Sequence, residues 1–440
     1  MRGDVLREYV RGSLWVLPSL AVVAALVVGS LLSLVNLGVR SPLAFQGTPD
    51  DARSLLIGIA GTMVTVIALL LGLTVVALQL SSTQFSPRLL RNFLRDRPNQ
   101  VVLSVFVATF AYSTAGLYTV GVSGGNRTTE FPRLAVTGAI VLLFASLGML
   151  VYFADHLAHS IQIESIMSVV ERNAIAVIHG GILEGGGPPS PVPDGATALP
   201  ALRSGYVQAV RVERLLDAAR RDGLRIRLRP RVGEHVVAGT TLLWVWPLQP
   251  GAPASTTAVD QVLDHAVRIG RERTFEQDAA FGIRQLVDVG CKALSPAIND
   301  PYTAVQAIDR LSVLFCALAT RQLGFHVARD TAGAEVAVPG RSFGEYLAAM
   351  CGLIRRYGAS EPIVDVALLR LLANCASIEG PDPQRLAAID EQARLVIEDA
   401  ERRVLQPADL TAVRAEASAV HTAVSRRLEL GDARDLRPSP

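Results

Sequence analysis

Long apolar runs fill the first third of the chain, and mixed sequence with helical periodicity fills most of the rest. Four runs, Leu14–Leu37, Leu55–Leu80, Val101–Val122 and Leu134–Phe153, contain no charged residue. Crossing a bilayer takes about 20 apolar residues, so each run predicts a transmembrane helix. The first follows Arg2, Arg7 and Arg11, as a signal peptide would, but it is too long and has no small-residue cleavage site. It is therefore read as a retained anchor.

The second run carries a stripe of small residues. Gly58, Gly61, Thr65, Ala68 and Gly72 share one helix face, which continues through Val75 to Gln79, Ser82 and Ser86. One reading is a seam that lets helix backbones approach in lipid. The other is a pore lining, with Thr65, Gln79, Ser82 and Ser86 on the axis of a homo-oligomer and Arg88 and Arg91 drawing small anions to its mouth. The third run offers a rival lining in Ser104, Thr109, Tyr112, Ser113 and Thr119. The fourth continues past Asp155, His156 and His159 with no helix breaker, which predicts one long helix leaving the membrane. Asp155 and His159 share a face, read as solvated, with a pH-sensing or metal pair as the alternative.

After the apolar third, Gly180–Pro200 reads as a Gly/Pro-rich linker. In Gly205–Pro247, Leu224, Ile226 and Leu228 alternate with Arg225, Arg227 and Arg229, the period of a half-buried strand. This segment resembles the small β-sandwich of biotinyl and lipoyl carriers but lacks the carrier lysine, so the likeness implies shape without an attached cofactor. Residues 211–231 hold eight arginines against Glu213, Asp217 and Asp222. Arg225, Arg227 and Arg229 are candidates for docking on anionic lipid, each contributing about 1 kcal/mol near a membrane. A phosphate-bearing ligand or a solvated strand face are the alternatives.

From Thr257 the pattern is helical, apart from a hairpin at His326–Pro339 turning near Ala332-Gly333. Apolar spacing places later helices at about Phe343–Tyr357, Pro362–Ala376, Pro383–Val404 and Pro407–Leu430, a packed bundle. The expected organisation is a four-span domain over 1–160, a helix extension and linker over 161–204, and a β-rich module over 205–250. A helical segment over 257–325 and a hairpin plus bundle over 326–440 complete it. The fold class is mainly α.

Arginine placement adds an orientation. Arg2, Arg7, Arg11, Arg88, Arg91, Arg95 and Arg97 flank one side of the four runs, against Arg40, Arg53, Arg127 and Arg133 on the other. Both termini and the C-terminal part are then cytoplasmic. Cys291, Cys316, Cys351 and Cys375 show no metal-ligand spacing and read as reduced thiols.

The chain's one lysine lies in the stretch GCKALSPAINDP, residues 290–301. Arg284, Asp288 and Lys292 share a helix face, with Asp288–Lys292 in the favourable order for an ion pair. Ser295-Pro296 stops that helix. Asn299 or Asp300 can cap the next, with Pro301 in its first turn. The stretch is a tight connection or, alternatively, a ligand or gating site built from Asp288, Lys292, Ser295, Asn299 and Asp300.

No phosphate-binding Gly loop, nucleophile elbow, zinc spacing or framed carboxylate pair is present in the sequence, so no enzyme activity, cofactor or metal is expected. Net charge is +2 and aromatics are 5%, which argues against nucleic acid as a partner.

The run FEQDAAFGIRQLVDVGCKALSPAINDPYTA, with LQLSSTQFSPRLLRNFLRD at 78–96, resembles a family of bacterial predicted membrane proteins catalogued as domain of unknown function 2254. The likeness covers nearly the whole chain and implies a multi-pass protein of the bacterial inner (plasma) membrane, with no established activity. Family members usually carry arginine where this chain has Lys292, which keeps the charge but loses a bidentate fork. Two functions follow: an oligomeric ion channel or transport protein with a cytoplasmic regulatory part, or a membrane-anchored cytoplasmic sensor or scaffold.

Overall fold

In the computed structural model the described residues are 15–34, 44–84, 97–120, 131–160, 162–249, 251, 255–378 and 382–435. The chain is mainly helical with two small sheets. Its contacts divide into two units, one through Ile166 and one from Met167.

Unit 1 contains α1 (Val16–Leu34), α2 (Pro49–Gln84), α3 (Arg97–Val120) and α4 (Arg133–Ser160). α2 starts with proline in its first turn, behind Thr48, whose hydroxyl accepts from the Asp51 N–H while Asp51 accepts from the Thr48 N–H. That reciprocal pair satisfies two donors the helix start leaves open. α3 packs against the other three helices. Leu56, Ile59, Met63, Leu70, Phe106, Tyr112, Ala139 and Phe153 form the core around it. The segment before α2 is tied to the start of α4 by Arg133, which donates to the carbonyls of Phe45 and Gly47 at 2.6 and 3.0 Å.

The long helix expected to run out of the fourth span is interrupted. α4 ends at Ser160 and α5 begins at Ile163 (Ile163–Gly180), with the Gln162 N–H reaching His159 O at 3.3 Å. No glycine or proline marks the break in the sequence.

Unit 2 holds both sheets. Strands β1 (Thr197–Pro200), β2 (Gly205–Val210), β3 (Leu224–Leu228), β4 (His235–Val236), β5 (Thr241–Pro247), β6 (Val267–Gly270), β7 (His326–Arg329) and β8 (Glu335–Val338) form one sheet ordered β1-β5-β3-β8-β7 and another ordered β4-β2-β6. β3 shows the expected alternation, with Leu224, Ile226 and Leu228 fully buried. The β7–β8 hairpin also forms, turning at Gly333 with φ of +93° while Asp330 accepts from the Ala332 and Ala334 N–H groups.

The carrier-like sandwich does not form. An amphipathic helix, α6 (Val212–Asp222), follows β2, and β3 pairs in parallel with β8 from about a hundred residues downstream. α6 buries Val212, Leu215, Ala218 and Ala219 and closes at Gly223, whose φ of +64° suits a helix end. Strand alternation is local, whereas a parallel partner this distant has no local signal. The Gly/Pro-rich stretch is docked rather than loose. The Gly185 N–H donates to Gln322 O at 2.9 Å and that of Gly186 to Phe325 O at 3.3 Å. A Cβ on Gly186 would lie 2.1 Å from Val327 O, so glycine is what permits this approach.

The helices of unit 2 include α7 (Thr257–Ala266), α8 (Ala279–Ala293), α9 (Pro301–Ala319), α10 (Phe343–Gly358), α11 (Pro362–Ser377), α12 (Pro383–Arg403) and α13 (Pro407–Asp435). Among the described residues five helices, α1 to α4 and α9, are long and apolar enough to cross a membrane by length and composition, one more than the sequence reading. α9 differs in carrying Asp309 and Arg310 and in burying Ile308, Leu311, Leu314, Phe315 and Leu318 within unit 2, where it packs against α8 and α11.

Candidate functional site

The loop between α8 and α9 is built as a stop and restart. α8 ends at Ala293; the Ser295 hydroxyl donates to Lys292 O at 2.7 Å, and the Asp300 N–H donates back to Ala293 O at 2.9 Å. Asn299 takes the left-handed conformation, φ +50°, which asparagine tolerates better than most residues. Asp300 caps α9, accepting from the Thr303 N–H at 3.1 Å and its hydroxyl at 2.6 Å, with Pro301 next. The hydrogen bond from the Thr303 side chain, with that from its backbone, holds the Asp300 carboxyl below its usual range. Asp288 accepts from Arg284 at 2.7 Å. Lys292 is half-buried one turn further along α8. Lys292, Ser295, Asn299 and Asp300 are thus brought together by backbone closure.

The two candidate pore linings differ sharply. On α3, Ser104, Thr109, Tyr112 and Ser113 are buried inside unit 1. Thr109 and Ser146 of α4 share a hydrogen bond of 2.9 Å, and the Tyr112 hydroxyl donates to Ala135 O at 2.8 Å. Thr119 is exposed and donates to Gly116 O. On α2, a Cβ at Gly58, Gly61 or Gly72 would meet nothing within 4 Å. Thr65 is exposed and donates to Gly61 O at 3.3 Å, and Gln79 is exposed. The side chain of Ser82, and all of Ser86, Arg88 and Arg91, lie outside the described residues.

The arginines of β3 are not equivalent. Arg225 and Arg227 are half-buried on a central strand, opposite Trp246 and Trp244 of β5. The Arg227 guanidinium lies 4.8 Å from the Phe325 ring centre, a cation–π contact. Arg229, past the strand end, is exposed. The alternation is thus a sheet face shared with tryptophans, and among these three Arg229 is the most open to solvent. On β8, burial pushes the Glu335 carboxyl up, but hydrogen bonds from Ser190 and Arg329 outweigh it and hold it below its usual range.

Among the described residues no group of three His, Cys, Asp or Glu could hold a metal. Asp155 and His159 are 3.4 Å apart and exposed.

Two features escaped the sequence reading. Asp365 on α11 is fully buried, and neither carboxylate oxygen has a partner among the described residues. Burial, reinforced by the charge of Asp399 and opposed by Arg355, pushes its pKa up to about 8. Arg355 pairs instead with Asp399. The second is a thiol contact between Cys316 on α9 and Cys375 on α11. Hydrogen bonding from Cys375, and a weaker bond from Ser312, outweigh burial and bring the Cys316 thiol down to about 7; Cys375, the buried donor, is shifted up. The sequence shows α9 and α11 as separate helices and gives no hint of their mutual register.

Comparison with known proteins bears on the chain as a whole. Uncharacterized proteins of Mycobacterium bovis and Mycobacterium tuberculosis are each 43% identical over 442 residues, covering 97% of this chain and 83% of the relative. No solved structure matches the chain. The family model described as "Predicted membrane protein (DUF2254)" matches residues 11–374. This match takes in the apolar helices, both sheets and the loop between α8 and α9, and the chain belongs to that family of predicted membrane proteins, whose function is unknown.

Proposed function

We propose that the chain is a four-span protein of the bacterial inner membrane, with α1–α4 in the bilayer and both termini and unit 2 in the cytoplasm. Copies associate through α2, and small ions, anions by preference, pass along the shared axis. The observation that carries this reading is the open glycine face of α2. A Cβ on Gly29, Gly116 or Gly138 would meet Tyr112 or Leu56, whereas one on Gly58, Gly61 or Gly72 would meet nothing within 4 Å; Gly148 of α4 is open too but stands alone, while the three on α2 form a stripe. Small residues along a lipid-facing stripe favour close approach of another helix. α9 is read as a core helix of unit 2, because its apolar residues are buried there and Arg310 pairs with Glu171 at 2.9 Å.

A second reading, a membrane-anchored sensor or scaffold without transport, has one observation in its favour. The hydroxyls of Ser104, Thr109 and Tyr112 on α3 are taken up inside the chain, and those of Thr62 and Thr65 on α2 donate to their own helix. That leaves few groups to replace the hydration of an ion.

Reconstitution in nanodiscs and planar bilayers tests both. The channel reading expects an oligomer by mass photometry and a current with anion preference. A monomer without current removes it, and an oligomer without current leaves the scaffold. A cysteine placed at Asp50 should react with impermeant maleimide on sealed cells, and one at Asp194 should not; the reverse overturns the orientation.

A further inference from the structure

α9 and α11 pack side by side, Asn374 of α11 donates to Ser312 of α9, and Cys316 and Cys375, next along the two helices, are neighbours across this seam. Cys316 is half-buried and opens on a groove that it lines with Asp309, Ser312, Val313, Asn374 and Ser377. Cys375 lies behind it, fully buried. Ser312, one turn before Cys316, accepts from Asn374 Nδ2 at 3.2 Å, and its hydroxyl helps to lower the Cys316 thiol. One sulfur facing a groove thus has a second thiol and a hydroxyl beside it, and donors of this kind stabilise a thiolate. Cys291 is the internal contrast. It is also half-buried, yet burial, together with the nearby Asp288 charge, pushes it up to about 11. Cys351, buried near Cys375, is pushed up to about 12 by desolvation.

We propose that Cys316 is a redox-active thiol and Cys375 its resolving partner, converted to an internal disulfide by low-molecular-weight disulfides that enter the groove. The Cys316 thiolate attacks one sulfur of the small disulfide, forming a mixed disulfide and releasing one small thiolate. Cys375 then attacks the Cys316 sulfur, forming the internal bond and releasing the second thiolate, one of the two taking up the Cys375 proton. Two protein thiols are oxidised and one small disulfide is reduced to two thiols. An accessible, acidified thiol beside a buried second thiol is the arrangement this exchange requires. The new bond joins α9 to α11, two central helices of unit 2.

The test uses the full chain in detergent micelles, reduced, desalted and exposed to oxidised glutathione at pH 7.5. Mass spectrometry of the non-reduced digest should find a peptide pair joined through Cys316 and Cys375. In Cys375→Ser the reaction should stop at a glutathione adduct on Cys316. Iodoacetamide on the unmodified chain should alkylate Cys316 at least about tenfold faster than Cys291, because its larger thiolate fraction outweighs the lower nucleophilicity of an acidic thiol. Ser312→Ala should move the midpoint of the Cys316 alkylation profile to higher pH. Equal alkylation of Cys316 and Cys291, or a persistent glutathione adduct on Cys316 in the unmodified chain, overturns the proposal.

Discussion

α2 and α3 pack against each other in unit 1, and both carry small and polar residues, yet they use them in opposite ways. α3 turns Thr109, Tyr112 and Ser113 inward, and Tyr112 sits in contact with Gly29 and Gly138. α2 turns Leu56, Ile59 and Met63 inward and leaves Gly58, Gly61 and Gly72 open. The Thr109 and Tyr112 hydroxyls are both bonded to α4, so they belong to packing within the chain, while Ser113 Oγ is buried with no partner among the described residues. An open small-residue face is surface available to another helix. The same distinction, groups served by the chain against groups left over, separates two aspartates of unit 2. Asp300 accepts two hydrogen bonds from Thr303, while Asp365 is buried with no partner among the described residues.

The largest expected effect falls on Asp365. Its folded pKa of about 8 lies above the ordinary 3.8. The unfolded chain therefore releases this proton near pH 4 and the folded chain holds it until about 8, so folding binds a proton between those values. Its stability contribution is intact below pH 4, falls as pH rises, and levels off above about 8. Asp365→Asn does not titrate. Its stability advantage should grow from pH 4 to pH 8, with an upper bound of about 6 kcal/mol at about 1.4 kcal/mol per pKa unit. Denaturant melts of the full chain across this range measure it, and curves that stay parallel would show that Asp365 finds a partner after all.

Next is Gly138→Ala, on the served side of unit 1. The new Cβ would lie 2.5 Å from the Tyr112 hydroxyl oxygen. Tyr112 must move and give up its bond to Ala135 O, which combines overpacking with a lost hydrogen bond, about 2 kcal/mol. A lower thermal midpoint in detergent is the expected readout. No change would mean that Tyr112 has room to spare.

Asp300→Ala should cost about 1 kcal/mol, the usual effect of a lost helix cap. Because the folded carboxyl is held below its ordinary range, this contribution is present above the unfolded pKa and fades as the pH falls through the folded one. Unfolding followed at neutral pH and again in acid tests both halves of the statement.

What the sequence revealed followed from what is local. The apolar runs, the β3 alternation, the hairpin at Gly333 and the Asp300 cap depend on residues within a few positions of one another, and all appear. Three features depend on distant partners and were not legible: the parallel pairing of β3 with β8, the meeting of Cys316 with Cys375, and the isolation of Asp365. α6 was missed for a different reason. Its arginines dominate the stretch as charge, although Val212, Leu215 and Ala219 stand at helical spacing. The small stripe of α2 was visible as a pattern, but its openness emerges only beside Gly29, Gly116 and Gly138, where a Cβ would meet a neighbouring side chain.

The smallest effect on folding, and the sharpest test of the contrast between α2 and α3, is Gly61→Leu. A Cβ there meets nothing within 4 Å, so the larger side chain displaces no neighbour in the chain. Leucine is also the better helix former by somewhat less than 1 kcal/mol. The thermal midpoint of a monomer in detergent should therefore stay level or rise slightly, in contrast to Gly138→Ala. Association is where the change should appear. If α2 meets α2 of another copy along this stripe, four added carbons hold the backbones apart, and the assembled fraction in nanodiscs should fall. Val141→Leu, at an exposed position on α4 rather than on the α2 stripe, serves as the control and should leave assembly as it was. Loss of midpoint in Gly61→Leu would show that the stripe packs within the chain. An unchanged midpoint with unchanged assembly would assign the stripe to lipid alone, and α2 would then differ from α3 without any consequence for association.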